Sequence, residues 1–254
     1  MFRLPISGMN LALRYPAGAD DVLLLEAAVT DTRLALSFVA RLAGGAASDW
    51  ELLPSGDLEA LLLMLRQTVF GDLIRATAIC PGPRCQQPVD VSFRIGDFLK
   101  HHAPRKPPSV VADAEPGWWR LRDSEIRFRF PTAADRVAAG ESRQPAAELR
   151  RRCVRPDVLP PGSMKRVERA LESMAPVLSG PLAGKCPECS SETEIYFDVE
   201  GFVLSELRDQ AAFLYRDVHL LAMHYHWPED AILALPRYRR LQYTEILREE
   251  GGRV

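Results

Sequence analysis

Leu34, Phe38, Val39 and Leu42 recur at helical spacing, which predicts a helix over 31–42 stopped by Gly44 and Gly45. A second predicted helix opens at Ser55, a suitable N-cap with Asp57 in the first turn, and runs to about Gly71. Its core-facing side carries Leu58, Leu61, Leu62, Leu65 and Val69. The period then changes to two. The stretches 118–121 and 126–130 flank Arg122-Asp123-Ser124 as a β-hairpin, with Trp119, Leu121, Ile126, Phe128 and Phe130 sharing the buried face and arginines outward. Thr132 and Asp135 have capping-box spacing for the helix that follows. Further helices are predicted over 146–153 and 163–174, then one long amphipathic helix over 202–225. Short helices opened by Pro228 and Pro236 complete the chain. The first twenty residues, with turns at Pro5-Ile6-Ser7-Gly8 and Pro16-Ala17-Gly18, read as an extended arm or a loose lead-in.

Two cysteine knuckles punctuate this pattern, Cys80-Pro-Gly-Pro-Arg-Cys85 and Cys186-Pro-Glu-Cys189. Aligned on their second cysteines, the segments behind them match. Phe93 pairs with Phe197, Ile95 with Val199 and Phe98 with Phe202, while Val91 and Ile195 stand at neighbouring positions. Each copy reads as a knuckle, an alternating strand and the start of a helix, so the element is duplicated.

Knuckles of this spacing let two thiolates point the same way from one tight bend, and two knuckles complete a tetrahedral Zn²⁺ site. The predicted ligands are Cys80, Cys85, Cys186 and Cys189. Four thiolates would leave no open position on the ion, so the zinc is expected to be structural. The competing readings are two disulfides or four separate thiols. Residues 1–16 show no apolar run followed by a small-residue cleavage pattern, which weighs against a secreted, disulfide-bonded chain. Cys153 is expected to be a spare, packed thiol.

The sequence of 254 residues is 47% hydrophobic, enough for a substantial core, and no apolar run approaches a membrane span, so a soluble chain is expected. The fold class is α+β: duplicated zinc-ribbon-like knuckle and strand units with an inserted hairpin, short helices and a mostly helical C-terminus. The expected divisions are an N-terminal arm (1–30), a helical segment with the first knuckle unit (31–102), a proline-rich linker (103–117), the inserted hairpin and helices (118–180), and the second knuckle unit with a helical subdomain (181–254).

A formal charge of −2 removes the simple electrostatic case for binding nucleic acid, although a zinc-ribbon nucleic-acid-binding or regulatory module is the alternative reading of the cysteines. The basic cluster around Arg150, Arg151, Arg152 and Arg155 has Glu148 and Asp157 beside it, and reads as a solvated face or a docking surface for an acidic partner. His219, His224 and His226 lack the three- or four-residue spacing that places side chains on one helix face, and adjacent His101 and His102 do not converge. No HExxH, glycine-rich phosphate loop or G-x-S-x-G elbow occurs, so an enzyme is not expected. Trp227, Tyr238, Arg239, Arg240 and Tyr243 are the candidate partner-binding residues, because aromatic and arginine side chains are enriched at interface hot spots.

Cys186-Pro-Glu-Cys189, Phe197-Asp198-Val199, Val218-His219-Leu220-Leu221-Ala222 and the stretch from Trp227-Pro228-Glu229-Asp230 to Leu235 resemble the T4-type phage baseplate family, hub assembly proteins of phages, prophages and contractile injection systems. Phe128-Arg-Phe-Pro-Thr-Ala-Ala-Asp135 and the helix before Cys80 also fit that pattern. The resemblance implies a non-enzymatic role at the baseplate hub, as an assembly chaperone or a minor structural component. The partners would be hub or spike proteins. No small-molecule substrate or membrane is implied, and the location would be cytoplasmic during assembly, with a place in the finished particle left open.

Overall fold

The computed structural model describes residues 1–251 and is α+β, with helices linking small antiparallel sheets. The first elements are β1 (Phe2–Arg3), β2 (Asn10–Leu11), α1 (Gly18–Glu26), α2 (Thr32–Ala43), α3 (Ser55–Phe70), β3 (Leu73–Ile79), β4 (Pro88–Arg94) and α4 (Ile95–His101). There follow β5 (Val110–Ala112), β6 (Trp118–Leu121), β7 (Arg127–Arg129), α5 (Ala133–Glu141), α6 (Pro145–Cys153), β8 (Val154–Arg155) and α7 (Ser163–Met174). The last are β9 (Gly180–Lys185), β10 (Glu192–Phe197), α8 (Val199–Ala211), α9 (Leu214–Tyr225), α10 (Glu229–Ala234) and α11 (Arg237–Gly251). The chain groups into two units, residues 1–11 with 50–200, and residues 12–49 with the stretch from Gly201 onward.

In the first unit α3 is the organising helix. Its leucines Leu58, Leu61, Leu62 and Leu63 have no exposed surface, and Gly71, at φ 88°, ends it in a conformation that favours glycine. Pro54 is its N-cap. Ser55 instead begins the helix and gives its hydroxyl proton to the Pro131 carbonyl at 3.2 Å, so the expected Ser55 cap is corrected by one residue. Three charged residues of α3 turn inward. Asp57 accepts the amides of Ile6 and Ser7, each at 2.8 Å, fixing the turn between β1 and β2. Arg66 donates to the carbonyls of Gly71 (2.6 Å) and Leu73 (2.9 Å) at the base of β3. Glu59 accepts from the amides of Leu178 (2.8 Å) and Ser179 (3.2 Å) just before β9 and pairs with Arg136 at 2.5 Å. One helix thus anchors all three two-stranded sheets.

The inserted segment forms a four-stranded sheet in the order β5-β6-β7-β8. Leu121, Ile126 and Phe128 pack against Val167, Ala170 and Met174 of α7, with Trp119 and Phe130 partly buried beside them, as the alternation predicts. Trp118 points to the other face and is nevertheless buried, because Arg155, Arg127 and Arg129 lie over its ring at 4.5, 5.8 and 6.0 Å. The stretch expected to be a linker contributes β5, which pairs with β6. The Thr132–Asp135 capping box forms, and α7 has the predicted bounds.

The second unit holds α1, α2, α9, α10, α11 and α8 from Gly201 onward. Asp31 caps α2 through the Leu34 amide at 3.0 Å. Within the arm expected over 1–30, Gly18–Glu26 is helical, with Asp20 and Asp21 wholly buried. Asp20 pairs with Arg14 at 2.6 Å and Arg41 at 3.1 Å, and also accepts the Ala17 amide at 2.8 Å. Gly18 is required because a Cβ there would sit 2.9 Å from the Leu233 backbone. The long helix expected over 202–225 is two, broken at Ala212 and Phe213. Among the described residues no helix is long and apolar enough to cross a membrane.

Candidate metal centre

Each knuckle is the tip of an antiparallel hairpin. Ile79 pairs with Pro88 as the last rung below the first tip, and Lys185 pairs with Glu192 below the second. These rungs stand at identical offsets from the cysteines, so the two hairpins share one register. Backbone bonds repeat as well. The Cys80 amide donates to the Gln87 carbonyl at 2.9 Å and the Cys186 amide to the Ser191 carbonyl at 3.0 Å. The Gln86 amide reaches Gly82 O at 3.3 Å and the Ser190 amide reaches Cys186 O at 2.9 Å. The turns Pro83-Arg84-Cys85 and Pro187-Glu188-Cys189 are therefore equivalent, and the longer first knuckle places its extra two residues ahead of this shared turn.

The hairpins bring all four predicted ligands together. The Sγ atoms of Cys80, Cys85, Cys186 and Cys189 lie within 4.8 Å of one another. Cys80 Sγ is 3.9 Å from Cys189 Sγ, and Cys85 Sγ is 3.8 Å from Cys186 Sγ. For sulfurs about 2.3 Å from a tetrahedral ion, adjacent sulfurs stand about 3.8 Å apart, so the cluster has the size a metal requires. A disulfide needs about 2.05 Å, and all five cysteines are free. Cys80 and Cys186 are enclosed beside Val89, Cys85 is half-buried and Cys189 is exposed.

Hydrogen-bond donors around the sulfurs favour thiolate, and at Cys80 and Cys85 burial and the neighbouring thiols outweigh them and raise the thiol. The Gly82 amide donates to Cys80 Sγ at 3.4 Å, and a Cβ at Gly82 would come within 3.3 Å of that sulfur. Hydrogen bonds from the Ser191 hydroxyl and amide hold the Cys189 thiol down to about 6. At Cys85 the Gln87 backbone favours the thiolate, but burial and the neighbouring sulfurs push the thiol up to about 12. A proton lost from one sulfur thus raises the cost of losing the next, the repulsion that a cation at the centre would relieve.

Sequence reasoning missed Gln86 and Ser190. They follow the second cysteine of each copy and adopt φ 48° and 57°, a left-handed conformation that neither residue type signals. Their shared position behind Cys85 and Cys189 is the only pattern that marks them.

The candidate partner residues separate. Tyr238 and Arg239 are exposed on α11, and Tyr238 meets Tyr15 edge to face at 5.3 Å. Trp227 and Tyr243 are half-buried and pack with Tyr225, Trp227 stacking on it at 5.0 Å. Arg240 is corrected outright: it is 1% exposed, bonded to Asp21 at 2.5 Å and facing Asp217 at 3.5 Å, so it offers nothing to a partner. Cys153 is buried as expected, with its thiol 3.7 Å from the Asp135 carboxylate and pushed up to about 12, chiefly by burial. No family model matches the chain, and no curated protein or solved structure matches it.

Proposed function

We propose that the chain is a non-enzymatic assembly protein of a contractile tail or injection-system baseplate hub, acting as an assembly chaperone or a minor structural component, with a structural zinc ion clasping its two hairpins. The zinc reading rests on one observation, the four sulfurs with close pairs at 3.8 and 3.9 Å. The hairpins then act as duplicated zinc-ribbon-like units sharing one ion. Cys80, Cys85, Cys186 and Cys189 would hold it, and a full shell of four thiolates makes its contribution folding free energy, on the order of 10–16 kcal/mol in finger peptides.

The hub role is supported by the resemblance carried by Cys186-Pro-Glu-Cys189, Phe197-Asp198-Val199 and the stretch from Trp227 to Leu235. Hub or spike proteins are the proposed partners, met in part through exposed Tyr238 and Arg239. Two measurements test the proposal. Elemental analysis of the purified chain is expected to find one zinc per chain, and iron or no metal would overturn the clasp. Co-expression with hub and spike proteins of the same particle is expected to give a stable complex. Failure to co-purify with any of them would remove the hub role.

A further inference from the structure

Away from the cysteine cluster, a surface cavity of about 200 Å³ lies entirely within the unit formed by residues 1–11 and 50–200. Small-molecule sites run to about 300–1,000 Å³, so this one suits a single side chain. Pro54, Gly56 and Pro131 line it together with the apolar side chains of Ile6, Leu171 and Val177. Val177 is 60% exposed there, an apolar side chain left to solvent.

The lining is held by bonds already present in the fold. The Ser55 amide and hydroxyl both donate to the Pro131 carbonyl, at 2.9 and 3.2 Å. Asp57 accepts the Ile6 amide at 2.8 Å, and Ile6 Cδ1 stands 2.8 Å from where a Cβ on Gly56 would sit. The cavity is therefore formed before anything enters it, and an occupant would not bear the cost of ordering its walls.

Two glutamates of α7, Glu168 and Glu172, complete the lining. Four residues apart, they stand on one face of the helix, separated by about 6 Å along its axis. Both are exposed, and among the described residues neither is in an ion pair. Lys165, Arg166 and Arg169 of the same helix are outside the lining, which holds no basic residue among those described.

We infer that this cavity is a docking site for a partner protein segment that inserts one aliphatic side chain of leucine size and pairs flanking lysines or arginines with Glu168 and Glu172. The apolar lining supplies affinity, and the two carboxylates select the sign of the flanking charge. An acidic segment would bring like charges together at the same place. The inference needs neither the zinc nor the hub reading, because every residue it uses lies outside the cysteine cluster.

The test adds a capped lysine-leucine-lysine tripeptide to the full-length protein and follows the methyl groups of Ile6, Leu171 and Val177 by NMR. Serine-leucine-serine, glutamate-leucine-glutamate and lysine-alanine-lysine peptides are the controls. The three residues are expected to shift with the first peptide, with a dissociation constant on the order of a millimolar. Replacing its leucine by alanine, or making the Glu168→Gln/Glu172→Gln double variant, is expected to weaken binding about tenfold. No shift at these methyls, or equal binding of the serine- or glutamate-flanked peptide, would overturn the inference. Shifts that grow with protein concentration in the absence of peptide would make a second copy of the chain the occupant, and would overturn it as well.

Discussion

Phe93 and Phe197, which stand at the same offset behind Cys85 and Cys189, meet edge to face with ring centroids 5.4 Å apart. Phe98 completes the group, 5.0 Å from Phe93 and 6.0 Å from Phe197. The duplicated residues therefore pack on one another, and the hairpins meet at two levels, at the clustered sulfurs of the tips and at the aromatic rings of the base. Phe197 is the more buried partner, so Phe197→Ala is expected to cost about 3 kcal/mol and half-buried Phe93→Ala less. A double-mutant cycle in urea should return a coupling of about 0.5–1.5 kcal/mol. Additive losses would mean that the rings fill space without interacting.

Cys186→Ser removes an enclosed ligand and should lower the stability of the unit that carries the cluster by more than about 4 kcal/mol, beyond most single substitutions. Chelator should lower the melting temperature of the parent toward that of the variant and leave the variant unchanged. Equal melting of parent and variant, with and without chelator, would show that no metal contributes.

The left-handed residues allow a gain. At φ 57° and 48°, Ser190 and Gln86 pay a backbone cost of about 1–2 kcal/mol that glycine avoids, offset in part by the greater freedom of glycine in the unfolded chain. Ser190→Gly and Gln86→Gly are each expected to raise stability by a few tenths to about 1 kcal/mol, and Ser190→Ala to give no gain. Urea midpoints of the three variants decide it.

Asp135 gives the fold a pH dependence. Burial alone would raise its pKa, but the two-point pair with Arg129, at 2.6 and 2.9 Å, and the Thr132 amide at 2.9 Å bring it down to about 2. A carboxylate depressed in the folded state adds stability above its unfolded pKa near 3.8 and loses it as pH falls through the folded value. About 1–2 kcal/mol should therefore disappear between roughly pH 4 and pH 2. Asp135→Asn should flatten that segment of a stability–pH curve, and an unchanged slope would assign it to other carboxylates.

The knuckles and the strands behind them are legible in sequence because ligand spacing and period-two alternation are local. Strand β9, Gly-Pro-Leu-Ala-Gly-Lys, is not. Most of its residues are exposed and none is buried, so nothing demands an apolar alternation there. The break between α8 and α9 falls at Ala212 and Phe213, where neither glycine nor proline marks it. Longest in range is the error at Arg240. An arginine among Arg237, Arg239 and Leu241 reads as surface, and the carboxylate that buries it, Asp21, lies 219 residues away.

That burial makes Arg240 a folding residue of α11, against which its exposed neighbour Arg239 can be compared. Its guanidinium and that of Arg237 both pair with Asp21, while Asp217 faces Arg240 at 3.5 Å and Arg248 at 3.1 Å. Breaking a buried pair by removing one partner leaves an uncompensated charge and costs about 3–5 kcal/mol. Arg240→Ala is therefore expected to destabilise the unit formed by residues 12–49 and the stretch from Gly201, as read by a lowered urea midpoint. Exposed Arg239→Ala should stay within about 0.5 kcal/mol of the parent. Any loss of partner binding in Arg239→Ala then reports on the surface itself, because its fold is intact. An Arg240→Ala protein that melts like the parent would show that Asp21 is satisfied by Arg237 alone.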